Sequence, residues 1–124
     1  MREFEFRVWD CLSKRMLSWG DIFHLPAWEI FPGTPEQRAF NVMQYTGLKD
    51  STGKEIYEGD IIKLPDFLDE RKTTTGIVKY RADNAMFILD LSDGVEQTFY
   101  IKDKMTVIGN IYENPELWEE EWKK

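Results

Sequence analysis

The chain has 124 residues, 42% hydrophobic, 15% aromatic and 31% charged, and its 16 Lys and Arg against 23 Asp and Glu leave a net charge of -7. That length holds one domain, or one domain with a small appendage, and excludes two independent catalytic domains. The charge makes the chain a poor default ligand for nucleic acid, whose affinity for proteins comes from Lys and Arg displacing counterions.

Glu3 to Val8 alternates strictly, with Phe4, Phe6 and Val8 on one face, the period-2 signature of a half-buried strand. Ser13-Lys14-Arg15 reads as a turn and Met16-Leu17-Ser18-Trp19 as the returning strand. From Gly20 to Phe40 prolines punctuate an irregular aromatic stretch, within which Thr34-Pro35-Glu36 is expected to open a single helical turn. Gly47 and Asp50-Ser51-Thr52-Gly53 form a turn cluster, and Pro65 to Thr75 a polar loop. Around that loop, Ile61–Leu64, Gly76–Arg81, Ala85–Leu91, Glu96–Ile101 and Met105–Tyr112 read as five short strands, the last four separated by hairpin-length turns. Asn114-Pro115-Glu116 starts a short helix with Trp118 and Trp122 on one face.

The expected fold is therefore mainly β. Residues 46–113 form a small SH3-like barrel, residues 1–45 a β-hairpin and aromatic cover, and residues 114–124 the helix, all packed as one unit. Met86-Phe87-Ile88-Leu89 and Val107 to Tyr112 are apolar on both faces, so the outside of the barrel needs covering, by the first forty-odd residues or by a second subunit. The single cysteine, Cys11, excludes an intramolecular disulfide and is expected as a reduced, partly buried thiol. No segment approaches the ~18 apolar residues of a membrane span, so a cytoplasmic protein with no membrane contact is expected.

The run from Met43 to Ile62, MQYTGLKDSTGKEIYEGDII, resembles the signature of the YopX family of phage and prophage proteins, carried by Tyr45, Thr46, Gly47, Leu48, Asp50, Gly53, Tyr57, Glu58, Gly59 and Asp60. Phe6-Arg7-Val8-Trp9-Asp10 is similar to the family's opening strand and Val107 to Leu117 to its closing one. The resemblance implies an SH3-like β-barrel expressed in a bacterial host cytoplasm, and it implies no reaction. The signature also has a local explanation. Gly59 tolerates a left-handed backbone, and Asp50 and Asp60 accept hydrogen bonds from nearby amides, so the motif reads first as a device of the fold.

No catalytic constellation emerges. Asp50-Ser51-Thr52-Gly53 departs from the Asp-Thr/Ser-Gly of aspartic proteases by an inserted residue. His24 is the only histidine, and a Cys11/His24 pair is outweighed by the reading of Cys11 as a small apolar group. Acidic residues are abundant but sit in loops and turns without convergent spacing, so neither metal nor cofactor is expected. The candidate binding surface is Tyr57, Tyr80, Tyr100, Lys79, Arg81, Arg71 and Lys72, in a non-enzymatic module that binds a host or phage protein. The rivals are a nucleic-acid-associated factor in phage replication or transcription and an acidic decoy that mimics DNA, with homo-oligomerisation through surplus apolar faces a further expectation.

Overall fold

A computed structural model describes residues 4–27, 40–66, 69, 71–92, 95–98 and 104–122. They fall into two compact units, Met1–Tyr45 and Thr46–Lys124.

In the first unit, β1 (Phe6–Asp10) forms a hairpin with β2 (Arg15–Leu17) and pairs on its other side with the start of β3 (Phe40–Lys49). Val8 lies opposite both Leu17 and Val42, and with Leu17 and Ile22 it forms a buried cluster ringed by Phe6, Trp19, Leu25, Phe40 and Val42. The expected second strand stops early because Ser18 turns into a helix cap. Its hydroxyl accepts the Asp21 N–H and its own N–H is held by the Asp21 carboxylate, opening α1 (Trp19–Ile22). Ser-x-x-Asp was the signal for this helix. Cys11, in the β1–β2 turn, is exposed and not partly buried, its Sγ accepting a hydrogen bond from Asn41 Nδ2 at 3.1 Å. The expected turn at Thr34-Pro35-Glu36 lies outside the described residues.

The second unit begins in β3, which turns through Asp50–Gly53 into β4 (Glu55–Tyr57). Hydrogen bonding gives one sheet of order β2-β1-β3-β4. The ten-residue β3 runs through Gly47 and corrects its reading as part of the turn cluster. Gly47 is accommodated within the strand at φ +89°, and the Thr46 hydroxyl beside it accepts the Leu48 N–H while donating to the Ile56 carbonyl.

Five further strands, β5 (Asp60–Pro65), β6 (Thr73–Arg81), β7 (Met86–Leu91), β8 (Glu96–Gln97) and β9 (Thr106–Asn110), make an antiparallel sheet of order β8-β7-β6-β5-β9. They fall near where the hydrophobic pattern put them. Of the expected Glu96–Ile101 strand, β8 covers Glu96–Gln97, with residues 99–101 outside the described residues, and the expected Met105–Tyr112 strand ends at Asn110, Ile111 and Tyr112 entering the turn before the helix. β6 starts at Thr73, because Thr73-Thr74-Thr75 is β-branched and pairs with Pro65-Leu64-Lys63, which shortens the expected loop. On one face Ile62, Leu64, Val78, Leu89 and Leu91 bury against Ile56 and Met105. Ile61, Ile77 and Ile88 have the opposite parity in their strands and are also buried. The final helix α2 (Pro115–Trp122) packs against β6. No helix among the described residues is long and apolar enough to cross a membrane.

Leu89 has no exposed surface and sits at the centre of the larger cluster. Leu89→Ala is expected to cost about 3 kcal/mol in urea unfolding, the usual sum of lost transfer energy and a residual cavity. A cost below about 1 kcal/mol would show that the core is not packed here.

Candidate functional site

The signature residues gather around two buried carboxylates. Asp50 is 7% exposed. Its Oδ1 accepts the Thr52 N–H at 2.8 Å, the Thr52 hydroxyl at 2.7 Å and the Lys54 N–H at 2.9 Å, while Oδ2 accepts the Val107 N–H at 2.9 Å. The turn is closed by backbone bonds from Asp50 N–H to the Lys54 carbonyl and from Gly53 N–H to the Asp50 carbonyl. Ser51 adds its N–H to the Met105 carbonyl and pairs its hydroxyl with that of Thr106. A local turn is thereby tied to the start of a strand more than fifty residues later.

A carboxylate offers about four lone-pair sites, and four donors occupy those of Asp50. Three of them crowd Oδ1 and one meets Oδ2, so the carboxylate is held chiefly by its own turn. Burial pushes its carboxyl upward, but the Val107 amide, the Thr52 hydroxyl and the Lys54 and Thr52 amides outweigh burial and hold the pKa down at about 2. An aspartic-protease dyad needs the opposite arrangement, two carboxylates sharing a proton.

Asp60, 1% exposed, accepts the Tyr57 N–H at 2.8 Å through Oδ2. Gly59, at φ +82°, donates to the Val78 carbonyl and accepts from the Ile111 N–H, so the bend connects β6 and the end of β9. Only a residue free of a Cβ takes that backbone conformation without strain. Tyr45 is buried in the first unit, and Leu48 packs on the larger core cluster of the second.

A third polar group completes the pattern and was not singled out from sequence. The buried Asn110 accepts the Tyr112 and Glu113 N–H groups through Oδ1 and donates from Nδ2 to Glu113 Oε1. Asn114 Oδ1 accepts the Asn110 N–H, and a Cβ on Gly109 would lie 2.5 Å from that oxygen. Asn-x-x-x-Asn before a helix-starting proline was the available signal.

The candidate binding residues are placed differently. Tyr57 is 9% exposed and belongs to the interior, because β4 turns it inward between Ile56 and the Asp60 bend. Tyr100 lies outside the described residues. Tyr80 is 48% exposed and stacks edge-on against its cross-strand partner Phe87, centroids 5.3 Å apart. Beside it, Lys79 bonds Asp90 at 2.7 Å, and Arg81 bonds both Asp83 and Glu96. Arg71 pairs with Asp69 in the β5–β6 loop, where Lys72 is exposed and its backbone bonds Asp66 and Asp69. The counter-ions Asp90, on the neighbouring strand β7, and Glu96, one strand further on β8, were missed. Among the described residues no group of three or more His, Cys, Asp or Glu side chains is arranged to hold a metal ion.

The family profile described as YopX protein matches residues 5–119. The chain belongs to the YopX family. Among solved structures it is similar to protein EF1440 from Enterococcus faecalis, at 25% identity and a TM-score of 0.62 over 95% of this chain and 99% of that one. It is also similar to YopX from Bacillus subtilis, at 22% identity and a TM-score of 0.59 over 95% and 97% of the two chains, a likeness of fold. No curated protein matches. The turns that carry the YopX signature are thus the turns that hold these strands together.

The Asp50 carboxyl ordinarily titrates at 3.8 and does so at about 2 in the folded chain. Its stabilising contribution is therefore complete above about pH 5 and is lost as the pH falls through 3.8 toward 2. Asp50→Asn places an amide donor against one of these N–H groups and is expected to cost about 2 kcal/mol at neutral pH. In urea unfolding between about pH 5 and pH 2, the variant should lose less further stability than the wild type. Parallel slopes would mean that the fold does not hold this charge.

Proposed function

We propose that this YopX-family protein is a phage- or prophage-carried accessory protein of the bacterial cytoplasm that works by binding another protein, without catalysis. The supporting observation is the direction of the signature's polar groups. Asp50, Asp60 and Asn110 all bond backbone amides. The residues that most resemble reactive groups are engaged in holding loops, and the β6–β7 hairpin presents the Tyr80–Phe87 pair on one face and the Lys79 and Arg81 ion pairs on the other. The order β8-β7-β6-β5-β9, a four-strand meander with the last strand returning beside the first, supports an SH3-like class for this sheet.

The chemistry of that surface favours a protein partner. Tyr80 on Phe87 gives a rigid apolar contact with a polar tip. Lys79 and Arg81, which would otherwise attract phosphates, already face Asp90, Asp83 and Glu96. A polyanion would have to displace those carboxylates on a chain of net charge -7.

Cross-linking with extracts of the phage-carrying host, using wild type and Tyr80→Ala side by side, tests the reading. Tyr80 is half exposed, so the variant should fold, and recovery of the wild type's partner should fall about tenfold, the scale of one aromatic contact. Equal recovery would move the contact elsewhere. Salt-sensitive retention on duplex DNA or RNA at about 0.1 M salt would replace this proposal with the nucleic-acid reading.

A further inference from the structure

The two neighbours of β6 cover it unequally. β7 runs beside it as far as Arg81, opposite Met86, whereas β5 begins at Asp60, and the last bond on its side runs from the Gly59 N–H to the Val78 carbonyl. Lys79, Tyr80 and Arg81 thus have no strand beside them on that side among the described residues. Successive residues of a strand turn their N–H and C=O groups to opposite edges. The Val78 carbonyl faces the β5 side, so Tyr80 faces it too, while Lys79 and Arg81 face β7. Tyr80 and Phe87 are then a non-hydrogen-bonded pair, the kind with the closer side chains, in keeping with ring centroids 5.3 Å apart. The Tyr80 N–H and carbonyl point past the end of β5, and no described residue bonds them. One residue therefore offers a half-exposed ring together with an open donor and acceptor.

We infer that an extended segment of the protein partner adds to β6 at Tyr80, in line with β5, and that this segment reads basic–apolar–basic around the residue bridged to Tyr80. The inference rests on the proposed function and specifies how that surface is used. A residue bridged to Tyr80 lays its side chain on the Tyr80–Phe87 face, where an apolar group is favoured, and its two neighbours fall on the opposite face. There Asp83, Asp90 and Glu96 outnumber Lys79 and Arg81, and the Asp83 and Glu96 side chains are 68% and 45% exposed, so the flanking residues meet surplus negative charge that suits Lys or Arg. Main-chain bonds at Tyr80 supply affinity, and the alternating side chains supply specificity.

Panning a phage-displayed library of random short peptides on the full chain, followed by synthesis of the most enriched peptide, tests this. Enriched sequences should share an apolar residue with Lys or Arg on both sides. Replacing Tyr80 by its α-hydroxy acid keeps the ring and exchanges the unbonded N–H for an ester oxygen, and it should weaken the peptide about fivefold, the scale of one hydrogen bond. In the unmodified chain, saturating peptide should slow hydrogen exchange of the Tyr80 amide by about tenfold. Absence of the basic–apolar–basic pattern, equal affinity for the ester chain, or unchanged exchange at Tyr80 each overturns the inference. Such a result leaves the proposed function standing where Tyr80→Ala still loses the cross-linked partner, and equal recovery with Tyr80→Ala moves the partner's contact elsewhere and overturns both.

Discussion

A buried charge has to be compensated where it sits, and in this protein the compensation of Asp50 decides how the second unit is assembled. Three of its four donors come from its own turn and the fourth from Val107 at the sheet edge. Local donors alone would make an ordinary hairpin turn, free to face any direction. The Val107 N–H fixes the turn against β9, and β9 is fixed against β5 by its register. Asp60 and Asn110, opposite each other across the β5–β9 pair, repeat the device at the far end. Buried polar groups thus specify which loop meets which strand, while the Leu89-centred cluster supplies most of the cohesive energy.

This division of labour gives a family signature rich in Asp, Thr and Gly a structural role in the second unit. The residues are constrained strongly, but by amide donors around them. The proposed recognition surface is the β6–β7 hairpin, with the Tyr80–Phe87 pair on one face and the Lys79 and Arg81 ion pairs on the other. Exposed ion pairs contribute little to stability, so under the proposed binding role their value is in shaping the charge a partner would meet.

Much of the architecture was legible in the sequence. Alternation around Phe6 and Val8 marked β1, short apolar runs between turn residues marked β5 to β9, and Glu58-Gly59-Asp60 announced its bend. What escaped depended on partners distant in the chain. β3 was hidden because Gly47 usually interrupts a strand, and only the Thr46 hydroxyl bridging to Leu48 and Ile56 shows how the strand continues. Tyr57 looked available until its place beside the Asp60 bend put it inside. Lys79 and Arg81 looked like a basic stripe because their acids lie on β7, on β8 and in the following turn, and only register brings these together. The α1 helix was readable from Ser18 and Asp21 but masked by the glycine and aromatics around it.

The contact between Gly109 and Asn114 has an evolutionary reading. With so little room for a Cβ at 109, the two positions behave as one unit of inheritance. A larger residue at 109 is tolerable only after 114 has shortened or swung away, and the reverse order passes through an intermediate with a crowded strand. Substitutions here should therefore show epistasis out of proportion to their modest chemistry, and lineages diverging elsewhere would retain the glycine and the asparagine together or lose them together.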